Sequence, residues 1–176
     1  MKRNPKVKKV TIIAEDKATY ELVNGFVSNA VACDRSKCLP LHYANGWSDC
    51  VGMVKAMRLD VQVEDYVILV IDYDKWDTDR YEHIKEQLKG SPFNERVFLL
   101  GSKIEAEKLL EPMRAHFGIS DLKLEGVGFL LAQECYDGRT PSAWETDALD
   151  INYDVIWRLE KYVKPFLLKP NIKPSL

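Results

Sequence analysis

Tyr66-Val-Ile-Leu-Val-Ile71 is an unbroken apolar run, mostly β-branched, that stops abruptly at Asp72-Tyr-Asp74. A strand covered on one face alternates apolar and polar residues. A continuous run needs cover on both faces, as in a parallel sheet flanked by helices. Val10-Thr-Ile-Ile-Ala14 has the same character and ends at Glu15-Asp16. The two runs are therefore expected to lie side by side at the centre of one sheet.

The intervening segments read as helices and a weaker strand. Thr19 to Val27 carries apolar residues at helical spacing. Cys38 to Tyr43 reads as a second strand, with Pro40 pointing to an edge or a strand start. A helix is predicted from Asp49 to Leu59, capped by Ser48, with Val51, Met53, Val54 and Met57 on its apolar face. Asp79 to Lys89 is a further helix, ended by Gly90-Ser-Pro92. Arg96 to Leu100 is a fourth strand, and Gly101-Ser-Lys103 turns into a helix from Ile104 to His116. Strand and helix alternate four times without a hairpin signal. This predicts an α/β fold: a mainly parallel, Rossmann-like sheet of at least four strands, helices on both faces and right-handed crossovers.

Beyond residue 116 the pattern loosens. Gly126 to Ala132 suits either a strand or a buried helix, and periodicity does not separate the two. A last helix is predicted from about Asp150 to Val163, with Ile151, Val155, Ile156, Leu159 and Val163 inward and Trp144 and Trp157 as core anchors. At 176 residues the chain fits one domain. Its core would span about residues 8–116, with 117–176 an extension packed on it and 118–150 a subdomain or lid.

Composition narrows the function classes. Hydrophobic residues at 46% and charged residues at 30% suit an ordinary globular chain. No apolar run approaches the roughly 18 residues that span a bilayer, and Val10–Ala14 is too short for a signal-peptide core. The cysteines at 33, 38, 50 and 135 form no Cys-x-x-Cys pair and the three histidines are scattered, so no zinc site is expected. Reduced cysteines and the absence of membrane signals give a cytoplasmic expectation. A net charge of −2 exerts no global pull on nucleic acid. The basic residues near both ends, including Lys161, Lys164, Lys169 and Lys173, read as solvated.

In a parallel sheet the carboxyl ends of the strands open onto one edge, where ligands bind. Acidic residues fall there three times: Glu15 and Asp16, Asp72 and Asp74, and Glu105. Hard oxygen donors without neighbouring Cys or His favour Mg²⁺ or Mn²⁺. Converging carboxylates raise one another's pKa, which a divalent ion relieves, and such an ion activates water or clamps a phosphate. Helix capping and turn chemistry also place acids at strand ends. Lys17, Lys75 and Lys103 stand beside these acids as phosphate contacts or as solvated surface charges.

The acids and one glycine form a pattern: Glu15 in Ile-Ile-Ala-Glu-Asp, Gly46 in Tyr-Ala-Asn-Gly, and Asp72 and Asp74 in Val-Ile-Asp-Tyr-Asp. With these residues the chain resembles the Toprim domain, over about residues 8–116 in element order. That family places a Glu after its first strand, a Gly after its second and Asp-x-Asp after its third. The branch resembling OLD-type phage-defence nucleases adds a Glu opening the next helix, here Glu105. The chain departs from the pattern at Asp16, where the family usually has Gly. The resemblance implies Mg²⁺-dependent phosphodiester cleavage of DNA or RNA, in phage defence or a mobile element, with an ATPase as a protein partner. It implies Glu15 as general base or metal ligand and Asp72, Asp74 and Glu105 at the metal. Gly46, Lys17 and Lys75 would contact phosphate or substrate. Two other readings remain open: a non-catalytic Toprim-like binding module and a receiver-like signalling domain.

Overall fold

The structure, a computed structural model, describes residues 8–38, 41–57, 65–73, 78–89, 96–137 and 142–169. Four strands, β1 (Val10–Ala14), β2 (His42–Tyr43), β3 (Tyr66–Asp72) and β4 (Val97–Ser102), form one parallel sheet in the order β2-β1-β3-β4. The two apolar runs are the adjacent central strands, with Val10 beside Tyr66 and Ala14 beside Val70.

Alternation along the strands divides the sheet residues between two cores. Ile13, Val67, Leu69, Ile71, Val97 and Leu99 pack with Cys50, Val51 and Val54 of α2 (Trp47–Ala56) and with Ile84 and Leu88 of α3 (Thr78–Leu88). Val10, Ile12, Tyr66, Ile68 and Phe98 face the other way. They meet Val23 and Val27 of α1 (Lys17–Ser28), Val155 of α6 (Tyr153–Tyr162) and Leu167 of α7 (Lys164–Leu167). Helix α4 (Leu110–Phe117) and helix α5 (Leu124–Asp137) build a third cluster with the turn Ala143–Glu145. Residues beyond 117 thus pack on the sheet domain, α5 lying along α1.

Several boundaries differ from the sequence reading. The Gly126–Ala132 segment is helical, inside α5. Helix α2 starts at Trp47, so Ser48 lies within it and Gly46 is its N-cap. Gly101 and Ser102 are not a turn but the end of β4, paired with Ile71 and Asp72. The helix expected from Ile104 divides into a 3₁₀ segment, Ala106–Leu109, and α4. Pro112 explains the break, since it has no N–H to give the Lys108 carbonyl of a continuous α-helix. The last helix likewise divides into a 3₁₀ turn, Asp150–Asn152, then α6 and α7. Trp157 is 64% exposed, so it is no core anchor, whereas Trp144 is partly buried in the third cluster.

Candidate functional site at the carboxyl edge of the sheet

Where β1 ends, its backbone ladder with β3 continues for one more step through a side chain. The Glu15 N–H donates to the Val70 carbonyl at 3.0 Å. The next β3 donor facing β1, the Asp72 N–H, meets Glu15 Oε2 at 2.7 Å. Glu15 Oε1 accepts from the Trp47 N–H at 3.2 Å, at the start of α2. Gly46 makes this possible: its φ of 100° suits glycine, and its N–H donates to the Glu15 carbonyl at 3.0 Å. Gly46 is therefore a turn residue that delivers the Trp47 amide to Glu15.

The other acids have different anchors. Asp16 is the N-cap of α1, accepting from the Thr19 N–H at 2.8 Å. Asp72 Oδ2 accepts from the Ala106 N–H at 2.8 Å, at the 3₁₀ segment after β4. Glu105 precedes that segment and pairs with Lys108 at 3.0 Å, half exposed. Asp74 and Lys75 lie outside the described residues. Lys17 is exposed at the first position of α1. Lys103 is bound to Asp150 at 2.6 Å and Asp147 at 3.4 Å, which turns it away from a role beside Glu105. Tyr73 is 1% exposed and packs edge-on to Tyr81, so it serves the core.

The site thus brings Glu15 against the Asp72 main chain and leaves Glu105 with its own lysine. Among the described residues no group of three His, Cys, Asp or Glu side chains is placed to hold a metal. The sequence reading also missed Arg80. Its Nη1 donates to the Asp72 carbonyl at 2.9 Å, and its charge acts on Glu15. A basic residue in the first turns of the helix after Asp-x-Asp was the available signal, and it gives the acidic edge a cation of its own.

The Glu15 carboxyl is pushed above its ordinary value of 4.5, first by burial and also by the charge of Asp16. The Asp72 and Trp47 amides and Arg80 pull it down without cancelling that effect. The folded chain therefore holds this proton more tightly than the unfolded chain. The Glu15 contribution to stability is full below the unfolded value and falls as pH rises through the folded one. Urea unfolding of wild type and Glu15→Gln between about pH 4 and pH 7 is expected to shift in favour of Gln as pH rises. A shift toward wild type would show that the two amide bonds outweigh burial.

Burial disfavours the thiolate at three of the four cysteines. Burial pushes Cys33 and Cys50 up to about 12 and Cys38 to about 11, which suppresses the thiolate at neutral pH. Among the described residues, no helix is long and apolar enough to cross a membrane. Comparison with family models, curated proteins and solved structures finds no match to this chain.

Proposed function

We propose that the carboxyl edge of the sheet is a Mg²⁺- or Mn²⁺-dependent phosphodiester-cleaving site acting on DNA or RNA, as the Toprim resemblance implies. The observation that carries this reading is the contact of Glu15 Oε2 with the Asp72 N–H, which draws the acidic ends of the two central strands together. Their donors are hard oxygens, suited to Mg²⁺ or Mn²⁺. A carboxyl raised by burial is also a group whose ionised form a cation stabilises. The amide bonds to Glu15 and Asp72 do not oppose ligation, because a carboxylate oxygen has two lone pairs and metal-bound carboxylates are commonly oriented by such bonds. Asp72 would hold the ion together with Asp74. When bound, it would stabilise charge on a phosphodiester oxygen. Glu15 itself, with its proton held above the ordinary range, would take the proton of an attacking water. A protein partner such as an ATPase, and a setting in phage defence, belong to the same reading.

The second reading is a non-catalytic binding module, favoured by the fact that Glu15, Asp16 and Asp72 each accept from a backbone amide. Cleavage of plasmid DNA and structured RNA with Mg²⁺ or Mn²⁺ separates the two. On the first reading Asp72→Asn lowers the rate about a hundredfold. It leaves the metal-free fold intact, since Asn retains an oxygen for the Ala106 amide. No cleavage by wild type, with no change in its melting on adding Mg²⁺, leaves the binding module standing.

A further inference from the structure

Tyr153 and Trp157 are the most exposed large apolar side chains among the described residues, at 78% and 64%. Both stand on α6, four residues apart, so they share one face about 6 Å apart along the helix axis. Tyr162 adds a third ring, half-buried to exposed. Lys161 continues the stripe one turn beyond Trp157. Its Nζ lies 5.6 Å from the centre of the Trp157 ring and 5.1 Å from that of Tyr162. The opposite face of the helix buries Val155 and packs Leu159 against the sheet. Helix α6 thus turns an aliphatic face to the core and an aromatic one to solvent, where a surface helix ordinarily carries charge. Such a contiguous exposed patch marks a binding surface.

The chemistry of the stripe selects its occupant. A helix that lies in a bilayer surface buries a broad apolar face there, and the broad apolar face of α6 is the one on the sheet. The core of a protein interface is depleted in lysine, whereas Lys161 stands over two of the three rings. A neutral ring does not cancel the ammonium charge, so flat faces and a cation are offered side by side. Single-stranded nucleic acid uses both, its bases stacking on aromatic rings and its backbone meeting the cation. In a duplex the base faces already stack on one another. We infer that this face of α6 is a platform for single-stranded nucleic acid, with Tyr153 and Trp157 stacking on bases and Lys161 contacting phosphate. Asp154 is exposed in the first turn, where the helix dipole favours an acid, and Arg158 turns away over the Phe98 ring at 5.0 Å. The phosphate therefore lies at the Lys161 end. Tyr153 follows Asn152, whose side chain bonds Gly101 at the end of β4, one residue before the partner of Asp72. The platform thus starts at the carboxyl edge of the sheet. As a substrate path it rests on the cleavage reading, whereas binding itself needs no metal ion.

The test is fluorescence anisotropy of the full chain in EDTA, with a labelled oligothymidylate of about 16 nucleotides and with the same strand in a duplex. The single strand is expected to bind saturably and about tenfold or more tighter than the duplex. Trp157→Ala should lose about tenfold in affinity while keeping the wild-type melting temperature, because the ring is exposed. Trp157→Phe, which keeps a ring, should retain most of the binding. Lys161→Gln should reduce the slope of log affinity against log salt by about 0.7, the share of one phosphate on a single strand. Absence of saturable binding, equal affinity for strand and duplex, or an unchanged salt slope would each overturn the platform. So would sedimentation with phosphatidylserine vesicles that needs Trp157, in the absence of oligonucleotide binding. Undiminished binding by Trp157→Ala, beside wild-type cleavage with Mg²⁺, overturns the platform and leaves the cleavage reading. Binding that needs Trp157, without cleavage, supports the platform and sinks the cleavage reading alone.

Discussion

Gly128→Val is expected to cost at least about 3 kcal/mol, the upper part of the overpacking range, because the obstacle is backbone and cannot rotate away. A Cβ at Gly128 would lie 1.8 Å from the Leu22 carbonyl oxygen and 2.8 Å from the Phe26 nitrogen. The crossing is reciprocal, for a Cβ at Gly25 would lie 1.8 Å from the Glu125 carbonyl oxygen. The helices α1 and α5 therefore touch main chain to main chain. They are held there by Asn24 donating to Glu125 at 3.1 Å and Asn29 donating to the Phe129 carbonyl at 3.0 Å. Any side chain at Gly128 must push α5 outward and open the third cluster. Against a typical domain stability of about 5–15 kcal/mol, such a loss moves the urea midpoint far down. Gly52 provides the contrast. It is exposed on α2, and a Cβ there would meet nothing within 4 Å. Gly52→Ala should stabilise by about 0.5–1 kcal/mol through helix propensity alone. A Gly128→Val protein that unfolds with wild type would show that the two helices can separate freely.

Asn152→Leu is expected to cost about 2–5 kcal/mol, because it strands buried backbone groups at the outer edge of the sheet. Asn152 is 1% exposed, and its amide behaves like one residue of a fifth strand beside β4. Its Oδ1 accepts from the Gly101 N–H at 2.8 Å, while its Nδ2 donates to the Gly101 carbonyl at 2.7 Å and to the Leu149 carbonyl at 2.8 Å. Leucine matches the volume and satisfies none of these groups. Asn152→Asp keeps the acceptor for Gly101 but loses the donor and buries a charge. Its deficit should therefore grow as pH rises through the carboxylate range. Chemical denaturation of both variants at two pH values checks this, and a leucine variant as stable as wild type would remove Asn152 from the sheet's edge.

The unbroken apolar runs at Val10–Ala14 and Tyr66–Ile71 were enough to predict a parallel sheet with these strands central. Burial on both faces leaves that composition few other homes. The acidic strand ends were legible for the same reason, since each run stops where the chain leaves the core. Their roles were not legible. Glu15 finds the Asp72 amide 57 positions away and the Trp47 amide 32 away, while Asp72 finds Ala106 at 34. No local pattern records which amide lacks a partner once strands have been paired. Arg80 and Asn152 escaped notice on the same ground, because each serves a backbone group that only the assembled sheet leaves exposed.

The Gly126–Ala132 segment shows the division most clearly. Its glycines weaken helix propensity and its apolar residues suit a strand equally, so local energetics left the choice open. What settled it was α1. A helix with glycine at 128 allows backbone contact with Leu22 and Phe26 and buries Val127 and Leu131. Sequence pattern determined which segments are buried and where they end. Packing between segments distant in the chain determined which helix takes which partner and what each polar side chain does there, because unpaired backbone groups and close approaches exist only after folding has brought those segments together.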